Sequence, residues 1–310
     1  MRRRLIQWMM AALVLGATLA RTAAASSPGD WRCWGPGLPD PCRNGLYSIT
    51  IDPSQGRIWA VGDRGTILHW DGYTWSKQAN PAAANLRGVA AQGPQKAWAV
   101  GLEGTVLRYD SGTWTLSGPA TSNWFRTVAL VPGTSGHAWA ACDKAGAGLW
   151  FYWNGSSWSN RYANRYQTFS GTVWAMEVLG AESGWAVGSV VGSVGGSVGQ
   201  VGQLLRLGSD GWTRHATVAE ELYGVALRTA SDGWAVGKQG ALYRWNGSDW
   251  TAVASPTKET LHAVHIVSAG DAWAVGDRGT ILRWNGSTWT AVSCPVKHNL
   301  QAVALSGPNN

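Results

Sequence analysis

Along residues 46–305 short apolar runs alternate with polar turns, and no window sustains a 3.6-residue apolar period between helix caps. That pattern predicts strands and essentially no helix. One unit recurs six times: an apolar strand A, a Trp-Ala-Val-Gly-like strand B, a third strand C, and a fourth strand D centred on tryptophan. The tryptophans that open strand B are Trp59, Trp98, Trp139, Trp185, Trp234 and Trp273, spaced by 39, 41, 46, 49 and 39 residues. A period near 40 with four strands per unit is the signature of propeller blades. The expected fold is all-β, a β-propeller of four-stranded blades with six full repeats, over approximately 46–85, 86–125, 126–171, 172–221, 222–260 and 261–299.

In the sixth copy the expected strands are Leu261–Val267, Ala272–Gly276, Thr280–Trp284 and Thr288–Val292. The C–D link is Asn285-Gly286, a two-residue hairpin turn in which both positions tolerate positive φ. The corner recurs as Asp71-Gly72, Asn154-Gly155 and Asn246-Gly247. The three asparagine corners are also literal glycosylation sequons, but the turn explains them without a sugar. Two pieces are left over, a seventh strand A at Leu300–Leu305 and a D-like piece around Trp31. A ring of seven blades with a reduced closing blade built from these ends is the alternative to six. The longest spacing contains a Gly/Ser/Val insert, 189–202, which reads either as a tolerated flexible loop or as a β-rich arm that orders against a partner.

Composition changes the picture at the N-terminus. Residues 1–25 carry Arg2, Arg3 and Arg4, an apolar stretch from Leu5 to Ala20 and small residues before Ser26, which is the layout of a cleaved signal peptide. The general secretory route is the first reading and a twin-arginine signal the second. Removing the segment takes four arginines and no acids, so 25 Lys plus Arg become 21 against 18 Asp plus Glu, and the formal charge falls from +7 to +3. So small a surplus gives no support for nucleic-acid binding. The expected organisation is a signal peptide (1–25), an N-terminal segment (26–45), the propeller (46–305) and a short tail (306–310). The mature protein is expected in the secreted, periplasmic or outer-surface space, not inserted in a membrane. Export permits disulfides, and Cys33–Cys42, flanking a Pro/Gly-rich turn, is the first candidate. A tie from Cys294 to that segment is the alternative, and Cys142 reads as a small buried residue.

Of 22 tryptophans, 16 fall on repeat positions: the six that open strand B, four that end strand C (Trp70, Trp153, Trp245, Trp284), and Trp75, Trp114, Trp158, Trp212, Trp250 and Trp289 in strand D. Such regularity favours packing between blades over ligand contact. The off-repeat Trp31, Trp34, Trp124, Trp150 and Trp174 are the better candidates for stacking on a sugar. The corner Trp70-Asp71-Gly72-Tyr73-Thr74-Trp75 resembles the Asp-box hairpins of sialidase-like (BNR-like) propellers, one residue short in spacing. The unit Trp-Ala-Val-Gly-Asp-Arg followed by Gly-Thr-Ile-Leu-Arg-Trp-Asn-Gly resembles more closely the repeats of the family of photosystem II assembly and stability factors and related bacterial propellers. The run at 235–244 is similar to tectonin repeats. These resemblances imply the fold across nearly all of 46–305, and much less about function.

Catalytic signals are thin. Asp-boxes sit in sialidase blades without doing their chemistry, so that likeness carries over no catalytic residue, and no arginine cluster can be read from sequence. Gly195-Gly196-Ser197-Val198-Gly199 matches a nucleophile-elbow pattern but lies in the insert, away from any strand-to-helix turn. His262 and His265 are three apart on a strand, so they should face opposite sides and not share a metal. No catalytic residue, cofactor or metal is expected. The C–D corners are nearly uniform whereas the B–C tips vary, and loops on a rigid scaffold carry function. The candidate partner-binding residues are therefore Asp63, Arg64, Glu103, Lys144, Lys238, Gln239, Asp277 and Arg278. The expected role is a non-enzymatic binding or assembly scaffold for another exported or membrane protein. Glycan binding is the alternative, which paired acidic and aromatic residues in a pocket would favour, and sialidase-type hydrolysis ranks third.

Overall fold

The structure is a computed structural model that describes residues 12–15, 45–52, 56–93, 95–119, 121–144, 147–160, 169–194, 197–294 and 297–305. Six antiparallel sheets, each a four-stranded meander in sequence order, form the six expected blades, and in blade 3 a short fifth strand, Phe169–Ser170, also pairs with strand C. Blade 6 comprises Leu261–Ser268, Asp271–Gly276, Ile281–Trp284 and Trp289–Ala291, within a residue or two of expectation. The inner strands A of successive blades are neighbours around a central channel. The helical elements among the described residues are three short 3₁₀ turns, and none is long and apolar enough to cross a membrane.

The ring of six blades closes through the C-terminal end piece expected as a seventh strand A. Ala302–Leu305 forms an inner strand that packs against the inner strands of blade 6 and blade 1, occupying a seventh position. It is paired in parallel by Ala12–Leu15, from within the stretch read as a leader. A chain cleaved after Ala25 lacks that partner strand. The closing piece expected around Trp31 and the Cys33–Cys42 bond lie outside the described residues. Cys142 is buried as expected, and burial pushes its thiol up to about 12.

Each strand-B tryptophan is a wedge between blades. Trp234 of blade 5 meets Trp284 and Trp289 of blade 6 at 4.9 and 5.0 Å between ring centroids, nearly edge-on. Trp59 likewise meets Trp114, Trp98 meets Trp153 and Trp158, Trp139 meets Trp212, and Trp185 meets Trp245 and Trp250. Edge-to-face pairs contribute about 0.5–1.5 kcal/mol each beyond the apolar area they bury. Within its own blade each wedge lies opposite a cross-strand partner in strand C, which is His69, Arg108, Tyr152, Arg206, Arg244 or Arg283 in turn. Arg244 stands 4.8 Å over Trp234 and Arg283 5.0 Å over Trp273. These arginines are engaged in packing and in ion pairs to Asp232 and Asp271, away from any cluster that could hold a substrate carboxylate.

One expectation is overturned by this packing. Trp150, proposed as a sugar platform, is only 2% exposed and stacks face to face on Trp212 at 4.5 Å. The insert is also not a loose loop. Strands B and C of blade 4, Ser183–Val194 and Ser197–Gly208, run on through it as one antiparallel hairpin with continuous register from Gly184↔Leu207 to Val194↔Ser197.

The channel holds about 790 Å³ and is lined by strands A, mostly with small or apolar side chains. Glu177 and His265 line it too. Surrounded by protein, the Glu177 carboxyl is pushed up to about 7 by desolvation, and His265 is lowered by the same cause.

Two consequences can be measured. Trp234→Ala should cost about 3–5 kcal/mol in chemical denaturation, whereas Trp124→Ala, at a side chain 51% exposed, should stay within about 0.5 kcal/mol; equal losses would contradict the wedge. Because the folded state holds the Glu177 proton more tightly than the unfolded chain, stability should fall as pH rises from about 4.5 to about 7, on the order of 2–3 kcal/mol. Glu177→Gln should flatten that slope, read from denaturation midpoints at the two ends of the window.

Candidate functional site at the channel mouth

At the start of every blade's strand A the register with strand B slips by one residue. The skipped residues are Tyr47, Arg87, Arg126, Trp174, Tyr223 and His262. A β-bulge re-aims the side chain of its extra residue, and all six line one end of the channel, with Gln301 at the seventh position. In five of the blades a glycine opposite the first residue of strand A leaves room for the approach, and in blade 3 Cys142 holds that position. A Cβ on Gly237 would sit 2.0 Å from the backbone oxygen of Glu221, and one on Gly276 would sit 2.0 Å from that of Thr260. The bulge also corrects the expectation for the histidines. His262 is the bulged residue, so strict alternation fails and both His262 and His265 line the channel. Among the described residues no group of three or more His, Cys, Asp or Glu side chains is arranged to hold a metal ion.

The six side chains contact one another across blade boundaries. Arg87 stacks on Tyr47 at 3.8 Å and Arg126 on Trp174 at 4.2 Å. Trp174 meets Tyr223 at 5.6 Å, and Tyr223 meets His262 at 5.9 Å. A second layer of acids from the B–C tips holds this ring. Asp63 accepts from the Tyr47 hydroxyl at 2.8 Å and from the backbone N–H of Gly45. Asp277 lies 2.8 Å from His262 Nε2, and Asp143 pairs with Arg126. Burial, followed by the Asp63 hydrogen bond, raises the Tyr47 hydroxyl. Burial outweighs the pull of Arg126 and raises the Asp143 carboxyl, whose Oδ1 is buried with no hydrogen-bond partner. Arg87 is different: no carboxylate among the described residues comes within ion-pair distance, and its Nε is buried without a hydrogen bond.

The candidates chosen from the tips divide into two sets. Asp63 and Asp277 turn inward and support the ring. Arg64, Glu103, Lys238, Gln239 and Arg278 are exposed on the same face as the mouth, since the tips hydrogen-bond to the residues just before strand A, as in Asp63 N–H to Gly45 O and Asp277 N–H to Thr260 O. The side chain of Lys144 lies outside the described residues. Arg64, Glu103, Gln239 and Arg278 adopt left-handed φ of 52–57°, which is uncommon for residues other than glycine. Asn85 and Asn299 accept from the backbone N–H of Arg64 and Arg278 at 2.8 and 3.1 Å and secure two of these turns. Lys238 and Arg278 pair with Glu221 and Glu259.

Sequence reasoning missed the bulge ring altogether. The signal available was the second residue of strand A, which reads Tyr, Arg, Arg, Trp, Tyr, His and Gln in turn between an apolar first residue and a small third one. Of the proposed sugar platforms, Trp174 belongs to the ring with one face taken by Arg126, and Trp124 is exposed at the start of blade 3 strand A. Trp31 and Trp34 lie outside the described residues. The C–D corners are turns first: Asn154, Asn246 and Asn285 each accept from two backbone N–H groups through Oδ1, as Asp71 does.

No family model matches the sequence, and no curated protein matches it. Solved structures do. A YCF48 bound to D1 peptide is 20% identical with a TM-score of 0.59, covering 82% of each chain. YCF48 from Cyanidioschyzon merolae is 20% identical with a TM-score of 0.57, covering 82% of this chain and 86% of its own. The WD40 repeats of RRP9 are 11% identical with a TM-score of 0.64, covering 84% of both chains. The photosystem II assembly factor YCF48, whose repeats this sequence resembles, is thus among its structural neighbours together with WD40 propellers, and at these identities what is shared is the fold: the chain is a β-propeller.

Proposed function

We propose that the chain is an exported, non-enzymatic scaffold that binds an extended, acidic segment of another protein across its channel mouth. The observation that carries this reading is Arg87, a stacked guanidinium at the mouth without a carboxylate of its own. It stands in a ring with aromatic faces and a second arginine, flanked by exposed tips with adaptable polar side chains. Arginine stacked on an aromatic keeps its planar donor edge free for a carboxylate. The similar YCF48 bound to D1 peptide supports a protein segment as the ligand class. Export rests on the basic and apolar pattern of residues 1–25. The role of a scaffold is supported by Arg244 and Arg283 being committed to tryptophan wedges and ion pairs and Arg126 to Asp143, so that Arg87 stands without the arginine cluster that hydrolysis of acidic sugars needs.

Glycan binding is the second reading, favoured by Tyr47, Trp174 and Tyr223 standing beside Asp63, Asp143 and Asp277. Against it, the acids are already engaged within the chain, and Arg87 and Arg126 cover one face each of Tyr47 and Trp174.

Fluorescence anisotropy against a set of acidic and matched neutral peptides, with and without a mixture of free sugars, decides between them. Acidic peptides should bind more tightly, weakening with salt. Arg87→Ala should lower affinity about tenfold, the loss of one charge-assisted hydrogen bond. Tyr73→Ala, at a side chain 86% exposed on a C–D corner, should leave it unchanged. Displacement by sugar would move the glycan reading ahead; no preference for acidic peptides would remove the proposed ligand.

A further inference from the structure

Below the mouth, one level of the channel departs from its small, apolar wall. The strand-A residues that stand opposite the strand-B tryptophans are Thr50, Ala90, Ala129, Glu177, Ala226 and His265, and Ala304 holds the matching place in the closing strand. All seven line the channel. Alanine at four of them shows that the fold needs no more than a methyl group here. Packing therefore does not explain Thr50, Glu177 and His265.

Glu177 is the costly member of the level. Among the described residues no cation or hydrogen-bond donor meets its carboxyl. Protein surrounds the group, yet the residue stays half-buried, and on the channel wall its remaining exposure is to the channel. A buried carboxylate without a partner destabilises a fold, so its presence in a cavity points to a ligand that completes it. His265 donates a ring N–H to the backbone oxygen of Leu305, and burial favours its neutral form, so its second ring nitrogen is an acceptor. Charge along the lining is divided by depth. Arg87 and Arg126 stand at the mouth; beyond them no lysine or arginine among the described residues lines the channel, and Asp52, two residues past Thr50, brings another acid toward the far end. The interior thus favours a cation that the mouth repels, and the far end is its route in.

We propose that this level of the channel binds a small organic cation, a primary ammonium on a short apolar body, with the head paired to the Glu177 carboxylate and the body along the alanine wall. A primary ammonium has three donors and no acceptor, which suits a level whose polar groups include a carboxylate, a neutral imidazole and a hydroxyl. The channel volume of about 790 Å³ lies within the range of about 300–1,000 Å³ usual for small-molecule sites. This site is independent of what the channel mouth binds.

Isothermal titration of the full chain with n-pentylammonium tests this at about pH 8, where the Glu177 carboxyl is ionised. 1-Pentanol and pentanoate serve as the uncharged and anionic controls. The expected result is one ammonium per chain with a dissociation constant on the order of 0.1–1 mM, and binding of either control at least about tenfold weaker. Glu177→Gln keeps the side-chain shape and removes the charge whose burial opposes folding, so the variant folds; it should weaken ammonium binding at least about tenfold, to the level of pentanol. Tyr73→Ala should leave it unchanged. No ammonium binding up to about 10 mM overturns the proposal, as does pentanol binding equally well. Ammonium binding that survives Glu177→Gln also overturns it, placing the cation elsewhere, as on the aromatic faces of the mouth.

Discussion

The ring depends on one repeated contact, a strand-B tryptophan of one blade wedged against the strand-D tryptophan of the next, with a strand-C tryptophan beside it for Trp98, Trp185 and Trp234. An antiparallel sheet with one blade's width of apolar surface cannot bury both faces alone, so each blade borrows its neighbour's side chains. Trp59, Trp98, Trp139, Trp185 and Trp234 meet the strand-D tryptophan of the next blade in five successive interfaces. Trp273 opens onto the seventh position, where its cluster is completed by Leu300, Val303 and Leu305 instead of by another tryptophan pair. The sixth interface is thus built from aliphatic residues at the chain's end, and the ring closes through a strand rather than a full blade.

Because tryptophan holds the blades apart at a regular angle, the inner strands can converge on a channel, and small residues there keep it open. The bulge at the head of each strand A follows from the same packing. In five blades glycine at the end of strand B lets the chain entering strand A pass within a distance that a Cβ would forbid, in blade 3 Cys142 holds that position, and in all six the slip in register turns the next side chain toward the mouth. Stability and recognition are therefore carried by different positions of one repeat. The aromatic wedge is nearly invariant among the copies, whereas the bulge residue changes at almost every blade. This separation lets the mouth accumulate stacked cations and aromatics without disturbing the core, and it places the inward acids Asp63 and Asp277 as struts rather than as ligands.

Blade 4 departs from its siblings in length without departing in topology. Its insert extends an existing hairpin, so each added residue finds a backbone partner across the ribbon, and the extension needs no new core beyond Val190 and Val201.

Periodicity, turn chemistry and the spacing of tryptophan determined a great deal by themselves: an all-β chain, six four-stranded units, and the strand limits of blade 6 to within a residue or two. Those features are local, written in hydrophobic alternation and in Asn-Gly corners whose side chains cap their own turns. Tertiary structure alone decided which faces meet. Trp150 looks off-repeat in sequence, yet Trp212 of the next blade covers it. His262 should by alternation point away from His265, yet the bulge turns both to the channel. The Gly/Ser/Val insert looks like a loop by composition, yet cross-strand registration with itself makes it sheet. In each case the deciding partner lies on another strand or another blade, at a sequence distance that no local pattern encodes.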